Sequence, residues 1–170
     1  MTAKPRWKFW IPGVPAPKGS ARAIKRGSYA VLVPSGSDAN KRAISSWGHA
    51  VATVARAAMA GRAPLRGAIR LDVAFYMERP TSVTRRHHTV KPDRDKLLRC
   101  LCDSLTGIAW VDDAQVVEGK TAKAYEDGDG SGARVVISEI SPHPILDIAT
   151  RAAADPAVLA ALTATRRRRR

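Results

Sequence analysis

Between Lys91 and Gln115 the chain reads KPDRDKLLRCLCDSLTGIAWVDDAQ, and this one stretch gathers five aspartates: Asp93, Asp95, Asp103, Asp112 and Asp113. Carboxylates brought together repel one another, and a bound divalent cation removes that cost. Oxygen donors alone select a hard ion, and Mg²⁺ takes one or two carboxylates and completes its shell with water and substrate phosphate oxygens. The chemistry such a site performs is phosphodiester hydrolysis. The metal activates a water and neutralises charge on the scissile phosphate, while a neighbouring Lys or Arg stabilises the transition state.

The background of the chain suits that substrate. Lys and Arg number 29 against 15 Asp and Glu, a formal net charge of +14 over 170 residues. Removing the terminal arginines Arg166 to Arg170 still leaves 14 − 5 = +9, so the basic character is not confined to the end of the chain. A body so charged seeks polyanions. No apolar run approaches the roughly 18 residues that cross a bilayer, and MTAKPRWKFWIPG lacks the make-up of a signal peptide, which predicts a cytoplasmic protein with no membrane partner. The two cysteines, Cys100 and Cys102, sit two apart on an expected helix, where their side chains diverge, so both are expected as reduced thiols.

The acids need elements to carry them. Pro92 disfavours a helical Lys91, and helical periodicity begins at Leu97, so Asp93 and Asp95 fall on an extended start with Asp95 as a helix cap. On an extended segment residues two apart face the same way, whereas on a helix they diverge by about 200°. The helix runs through Leu97, Leu98, Leu101 and Leu105 to Gly107, and places Arg99 and Asp103 one and two turns beyond Asp95. The strand IAWV follows, then the Asp112-Asp113 turn, which suits a solvated turn as well as a ligand pair.

Upstream, the spacing predicts a strand at Trp7 to Ile11, then a loop whose prolines and glycines forbid regular structure. Lys18, Ser20, Arg22, Lys25 and Arg26 hang from that loop and its continuation. A second strand covers Tyr29 to Val33. A long helix capped by Ser37 or Asp38 reaches Gly61, with Ile44, Trp47, Val51, Val54 and Ala58 as its apolar stripe. Ile69, Leu71, Val73, Phe75 and Met77 alternate with polar or small residues, which is the period of a half-buried strand. AQVVEGKTAKAY reads as a strand, and ARVVISEI as its hairpin partner across EDGDGSG. The expected fold is α+β, a mixed β-sheet packed with two main helices, over residues 1–140. Residues 141–170 form an Ala- and Arg-rich tail, short helices or disordered, with the final arginines as a phosphate-seeking arm.

With these residues in place, KPDRDKLLRCLCDSLTGIAWVDDAQVV resembles the core motif of the RusA family of Holliday junction resolvases, K/R-x-D-x-D-N-L-x-K-x-x-x-D-A-L followed by D-D-x-Q-V/I. IPGVPAPKGSAR resembles the family's opening, so the likeness spans residues 7 to 140. The resemblance implies a RusA-like fold and a homodimeric, Mg²⁺-dependent endonuclease, with Mn²⁺ able to substitute. Such an enzyme resolves four-way DNA junctions by paired nicks and is often encoded by phages or prophages. It implies Asp93, Asp95 and Asp113 as metal ligands, with Asp112 beside them. The family's assisting lysine is Arg99 here, which keeps the charge but cannot shuttle a proton; its Asn is Lys96, and its D-A-L is Asp103-Ser104-Leu105.

A two-fold enzyme matches the two equivalent strands of a four-way junction. Candidates for contact with DNA phosphates are Lys18, Arg22, Lys25, Arg26, Arg85, Arg86, Lys91, Lys96 and Arg99. His87 and His88 are expected to be exposed in a polar loop. The four tryptophans, Trp7, Trp10, Trp47 and Trp110, are expected as core or interface anchors, Trp110 lying two residues from Asp112. Glu118, Lys120 and Lys123 either join the site or form a cross-strand ion pair. Two rival readings stand beside the resolvase: a branched-DNA-binding protein without activity, and a less selective metal-dependent nuclease acting on flaps and branched DNA.

Overall fold

The computed structural model describes residues 5–19, 21–26, 28–34 and 37–140. Alternation decides the sheet. Ile69, Leu71, Val73, Phe75 and Met77 are all buried and the residues between them half-buried, so the strand they form, β4 (Ile69–Met77), turns one face to the core along its whole length. Strand β7 (Gly132–Glu139) pairs antiparallel with β4 on one side, from Ile69 opposite Glu139 to Tyr76 opposite Gly132. Strand β1 (Pro5–Pro12) pairs antiparallel with β7 and adds Trp7 and Ile11 to the same apolar face.

On the other side of β4 lie two short strands, β5 (Val116–Glu118) and β6 (Thr121–Tyr125), both parallel to it. The expected continuous strand AQVVEGKTAKAY is therefore broken in two. Gly119 is the break, and the reason is steric: a Cβ there would lie 1.9 Å from the Leu71 carbonyl oxygen. The expected hairpin between this segment and ARVVISEI does not form. β4 lies between β6 and β7, because a strand buried along its entire face takes ladder partners on both edges.

Two helices cover the apolar face. Helix α1 (Asp38–Met59) starts at Ser37, whose hydroxyl accepts from the Asn40 amide at 3.3 Å, and it buries Trp47, Val51, Ala55 and Met59 at four-residue intervals. It ends at Ala60 in the left-handed conformation, one residue before Gly61. Helix α2 (Arg94–Leu105) buries Leu97, Cys100, Leu101 and Leu105 and packs against α1 and β6. A Cβ at Gly48 would come 3.2 Å from the Ser104 hydroxyl, which is how closely α1 and α2 approach. The α+β class holds: a mixed five-stranded sheet with two helices on it.

Two local expectations are corrected. Ala21–Arg26 is not loop but strand β2, the antiparallel partner of β3 (Tyr29–Pro34), and the two make a separate two-stranded sheet. Basic residues at Arg22, Lys25 and Arg26 obscure an apolar rhythm, yet the short turn between the strands brings them into register. IAWV is not a strand. It is a turn carrying an isolated bridge from Trp110 to Leu65, in which the Leu65 amide donates to Ala109 and the Val111 amide to Leu65. Ala109 and Trp110 are fully buried and Val111 is exposed, so the apolar run fills a core corner without joining the sheet.

No helix among the described residues is long and apolar enough to cross a membrane. The tail, residues 141–170, lies outside the described residues, as do Ser20 and the side chains of Arg22, Lys25 and Arg26.

Candidate active site

The polar loop Glu78 to Pro92 leads from the end of β4 to α2, and Asp93 is the residue that caps the helix. It has extended backbone angles, φ −71° and ψ 139°, while its carbonyl already accepts from the Leu97 amide at 3.1 Å. The cap is thus Asp93 and not Asp95, and the helix begins three residues ahead of the first periodic leucine. Asp95 lies in the first turn, exposed and favourably placed against the positive end of the helix. The period-two alternation that would aim Asp93 and Asp95 at one point stops at Asp93.

The Asp93 carboxylate makes no capping hydrogen bond; it pairs with the Lys96 ammonium at 2.9 Å. That hydrogen bond and the Lys96 charge hold the carboxyl below the usual range, with Lys91 and Lys123 adding to the effect. The Lys96 ammonium is raised in turn, first by Asp93 and also by Asp95. Arg99, one turn beyond Asp95, is exposed and forms no ion pair among the described residues. The next position on that stripe, Asp103, pairs with Lys18 at 2.5 Å, and the Lys18 amide donates to the Lys96 carbonyl at 3.0 Å. Lys18 therefore ties the Pro- and Gly-rich loop to α2.

The second acidic pair stands on a 3₁₀ turn, η1 (Asp113–Gln115), immediately before β5. Asp112 is its cap, and one carboxylate oxygen accepts from the Ala114 amide at 2.8 Å. Gln115 closes the reciprocal half of a capping box: its amide oxygen accepts from the Val111 and Asp112 amides, both at 2.9 Å. The other end of the same side chain donates to the carbonyls of Leu65, at 3.1 Å, and Gly67, at 2.9 Å. Asp112 and Gln115 thus fix the turn, and Asp113, exposed and with no side-chain hydrogen bond or ion pair among the described residues, is the acid they present.

Asp113 acts electrostatically on Cys102: after burial, its charge is the next cause pushing that thiol up to about 12. Cys100 is pushed up to about 11, by burial first and then by Asp103. Cys102 is seven positions beyond Asp95, about 10 Å of helical rise. The acids stand on two elements, the start of α2 and the η1 turn. No three His, Cys, Asp or Glu side chains among the described residues come close enough to share a metal ion. The donors still suit Mg²⁺ chemically. They are hard oxygens, exposed to solvent, and Mg²⁺ needs only one or two protein carboxylates when phosphate and water complete its shell.

Around the two stations the remaining candidates separate. Glu118 forms the cross-strand ion pair with Arg70, its neighbour in the β4–β5 register. Asp72, which the sequence did not single out, takes the other side of Arg70 at 2.8 Å and accepts from the Lys120 amide at 2.8 Å. Burial pushes its carboxyl up, but the Arg70 and Lys120 interactions outweigh this and hold it below the usual range. Lys123 donates to the carbonyls of Val90 and Pro92. His87 is exposed as expected, but His88 is buried against the Tyr125 ring, 4.7 Å away, and burial with the charges of Lys123 and Arg85 lowers its pKa.

Arg79 and Arg85 stack on the same Tyr125 ring at 4.6 and 5.8 Å, while Arg86 and Lys91 are exposed. Trp110 is fully buried and its indole N–H donates to the Thr106 hydroxyl at 3.2 Å, so it is core and not a base-stacking surface. Trp7 and Trp47 are buried too, but Trp10 is half-buried on the opposite sheet face against Tyr76, at 5.6 Å.

Gln115 had a readable signal, since Asp-x-x-Gln is a capping-box pattern. Asp72 had none, nor had the burial of His88 or the backbone bonds of Lys123, which the sequence offered only as a residue to join the site or an ion pair, because the partners come from distant segments.

The class of protein follows from comparison: it is an endodeoxyribonuclease. Residues 12–138 match the family model described as Endodeoxyribonuclease RusA, and the chain belongs to that family. No curated protein matches it.

Proposed function

We propose that this chain is a Mg²⁺-dependent, structure-selective endonuclease that resolves four-way DNA junctions by paired symmetric nicks, working as a homodimer. The observation that carries the reading is the start of α2. There the acids Asp93 and Asp95 stand at the helix start with Arg99 one turn along, exposed and without an ion pair among the described residues, in a chain of net charge +14. Asp93, Asp95 and Asp113 are the candidate ligands; since the three do not gather round one point, one or two of them would hold the ion, with phosphate and water completing its shell, and it would supply charge neutralisation at the scissile phosphate and an activated water. Asp112 and Gln115 position Asp113.

Arg99 presents a planar fork of donors to phosphate oxygens and stabilises the charge that develops on them; it moves no proton. Lys96 keeps Asp93 ionised and is the group that yields when an ion binds there. Arg86 and Lys91, together with Arg22, Lys25 and Arg26 on the β2–β3 hairpin, bear on DNA phosphates and set register and affinity without reading sequence. Two copies place one site on each of the two equivalent strands.

One observation favours a second reading, DNA binding without cutting: arginine occupies the family's lysine position and Lys96 its asparagine position. The test is a set of synthetic substrates, a four-way junction, a flap and a linear duplex, incubated with Mg²⁺ or with chelator, with nick positions mapped on every strand. The resolvase reading expects symmetric nicks on opposed junction strands, only with metal and fastest on the junction. Binding without nicks at any Mg²⁺ or Mn²⁺ concentration establishes the second reading, and equal rates on flap and junction establish a less selective nuclease.

A further inference from the structure

Lys123 stands on β6 opposite Phe75 of β4, in the interior of the parallel ladder. Its ammonium donates to the Val90 carbonyl at 2.6 Å and to the Pro92 carbonyl at 2.7 Å. Those two oxygens flank Lys91, and that of Pro92 immediately precedes Asp93, the cap of α2. An ammonium carries three donors and no acceptor, and here two of the three are committed to backbone. No carboxylate among the described residues lies within ion-pair distance of Lys123. Its geometry is therefore neither that of a solvated surface cation nor that of a cross-strand ion pair.

The surroundings brace it. Two residues along β6, Tyr125 is buried and packs on His88, which is itself buried two residues before Val90. The last ladder pair of β6, Tyr125 opposite Met77, anchors that floor to the central strand. Ahead of Asp93, the loop from Glu78 to Pro92 contains no helix or strand, so side chains have to fix its end. Neighbouring Arg94 adds a further bond to the same strand, its guanidinium donating to the Thr121 carbonyl at 3.2 Å.

We infer that Lys123 is a positioning residue for the nuclease site: by holding the carbonyls of Val90 and Pro92 it sets where Asp93 and the first turn of α2 stand. The inference rests on the reading of Asp93 and Asp95 as the site. Lys123 touches neither metal nor substrate in this role; it acts through the backbone, and a displacement of about 1 Å at a reacting centre costs on the order of a hundredfold in rate.

The test compares Lys123→Met and Lys123→Arg with the wild type by amide hydrogen exchange and by single-turnover cutting of a four-way junction. In Lys123→Met, amides over residues 90–96 should exchange about tenfold faster or more, with β4 and β7 unchanged. Cutting at saturating DNA should fall on the order of tenfold to a hundredfold, with half-saturation by Mg²⁺ moved upward and junction Kd within about threefold. Lys123→Arg, whose guanidinium can also donate to two carbonyls, should restore both. A purely stabilising lysine would lower Tm and leave the rate per folded molecule and the Mg²⁺ half-saturation unchanged.

Wild-type exchange over residues 90–96 in Lys123→Met overturns the inference whatever the activity, and faster exchange with wild-type cutting overturns its bearing on the reaction. Should Lys123→Met fail to fold, Lys123→Gln, able to reach one carbonyl, carries the same two measurements. Undiminished cutting by Asp95→Asn marks failure of the site reading instead, and the exchange arm still decides whether Lys123 holds the segment.

Discussion

At the scale of single residues, Arg99 bears most on the chemistry because it is exposed one turn beyond Asp95 with no carboxylate partner among the described residues, whereas Lys96 is paired with Asp93, Lys18 with Asp103, and Arg94 donates to the Thr121 carbonyl. If it stabilises transition-state charge, Arg99→Ala should lower single-turnover cutting by about a hundredfold or more while junction binding weakens only slightly, and Arg99→Lys should retain activity. Asp93 gives a pH prediction. Its pKa is depressed by Lys96 in the folded chain, so the pairing contributes above the ordinary carboxylate pKa of about 4 and is lost only as pH falls through the lower folded value. Asp72 is depressed likewise by Arg70 and the Lys120 amide, against the opposing push of burial. Thermal stability should therefore hold from pH 7 to about pH 5 and decline below about pH 4, and carboxyl titration by NMR should show the Asp93 value rise in Lys96→Met. The thiols behave oppositely: with Cys100 pushed up to about 11 and Cys102 to about 12, neither should be alkylated by iodoacetamide at pH 8 unless the protein is unfolded.

At the scale of elements, the η1 turn depends on one side chain. Gln115 makes four hydrogen bonds, two accepted from the turn it closes and two donated to the segment after α1. Gln115→Ala should cost about 2 kcal/mol in urea unfolding and should impair cutting through Asp113. Which elements could be read from the sequence follows from the range of the forces that make them. The extents of α1 and β4 were legible, because Trp47, Val51 and the Ile69-to-Met77 alternation express burial within a single element and Ser37 and Gly61 mark the ends locally, but the buried stripe of α1 continues through Ala55 and Met59, with the expected Val54 and Ala58 only half-buried. α2 was legible in its body but not in its cap, since Asp93 and Asp95 are equally good caps and tertiary ties at Pro92 and Arg94 choose between them. The β2 strand, the turn at IAWV and the order of β6, β4 and β7 were not legible. The last two depend on partners distant in the chain, Leu65 for Trp110 and β4 for both β6 and β7, whereas β2 has its partner β3 close by and is hidden by the basic residues that interrupt its apolar rhythm. Of the candidate site, the acids and Arg99 were readable as residue types at a spacing, whereas Gln115's latch and the Lys123 clamp are visible only once Leu65, Gly67, Val90 and Pro92 are in place.

At the scale of the whole molecule, a net charge of +14 makes affinity for DNA largely a matter of phosphate contacts and counterion release. Raising salt from 50 to 200 mM should weaken junction binding by on the order of a thousandfold if about six phosphates are neutralised, with the slope of log K against log salt near −0.9 per contact. Deleting Arg166 to Arg170 should flatten that slope and lower affinity for junction and duplex alike, leaving the preference between them intact. The central claim, however, is that acids at two stations, the start of α2 and the η1 turn, serve one metal-dependent cutting reaction. Single-turnover cleavage of a four-way junction by Asp95→Asn and by Asp113→Asn, each beside the wild type in Mg²⁺, tests it most directly. Both substitutions should abolish nicking while junction binding stays near that of the wild type; nicking by either variant at the wild-type rate would rule out a shared metal-dependent site.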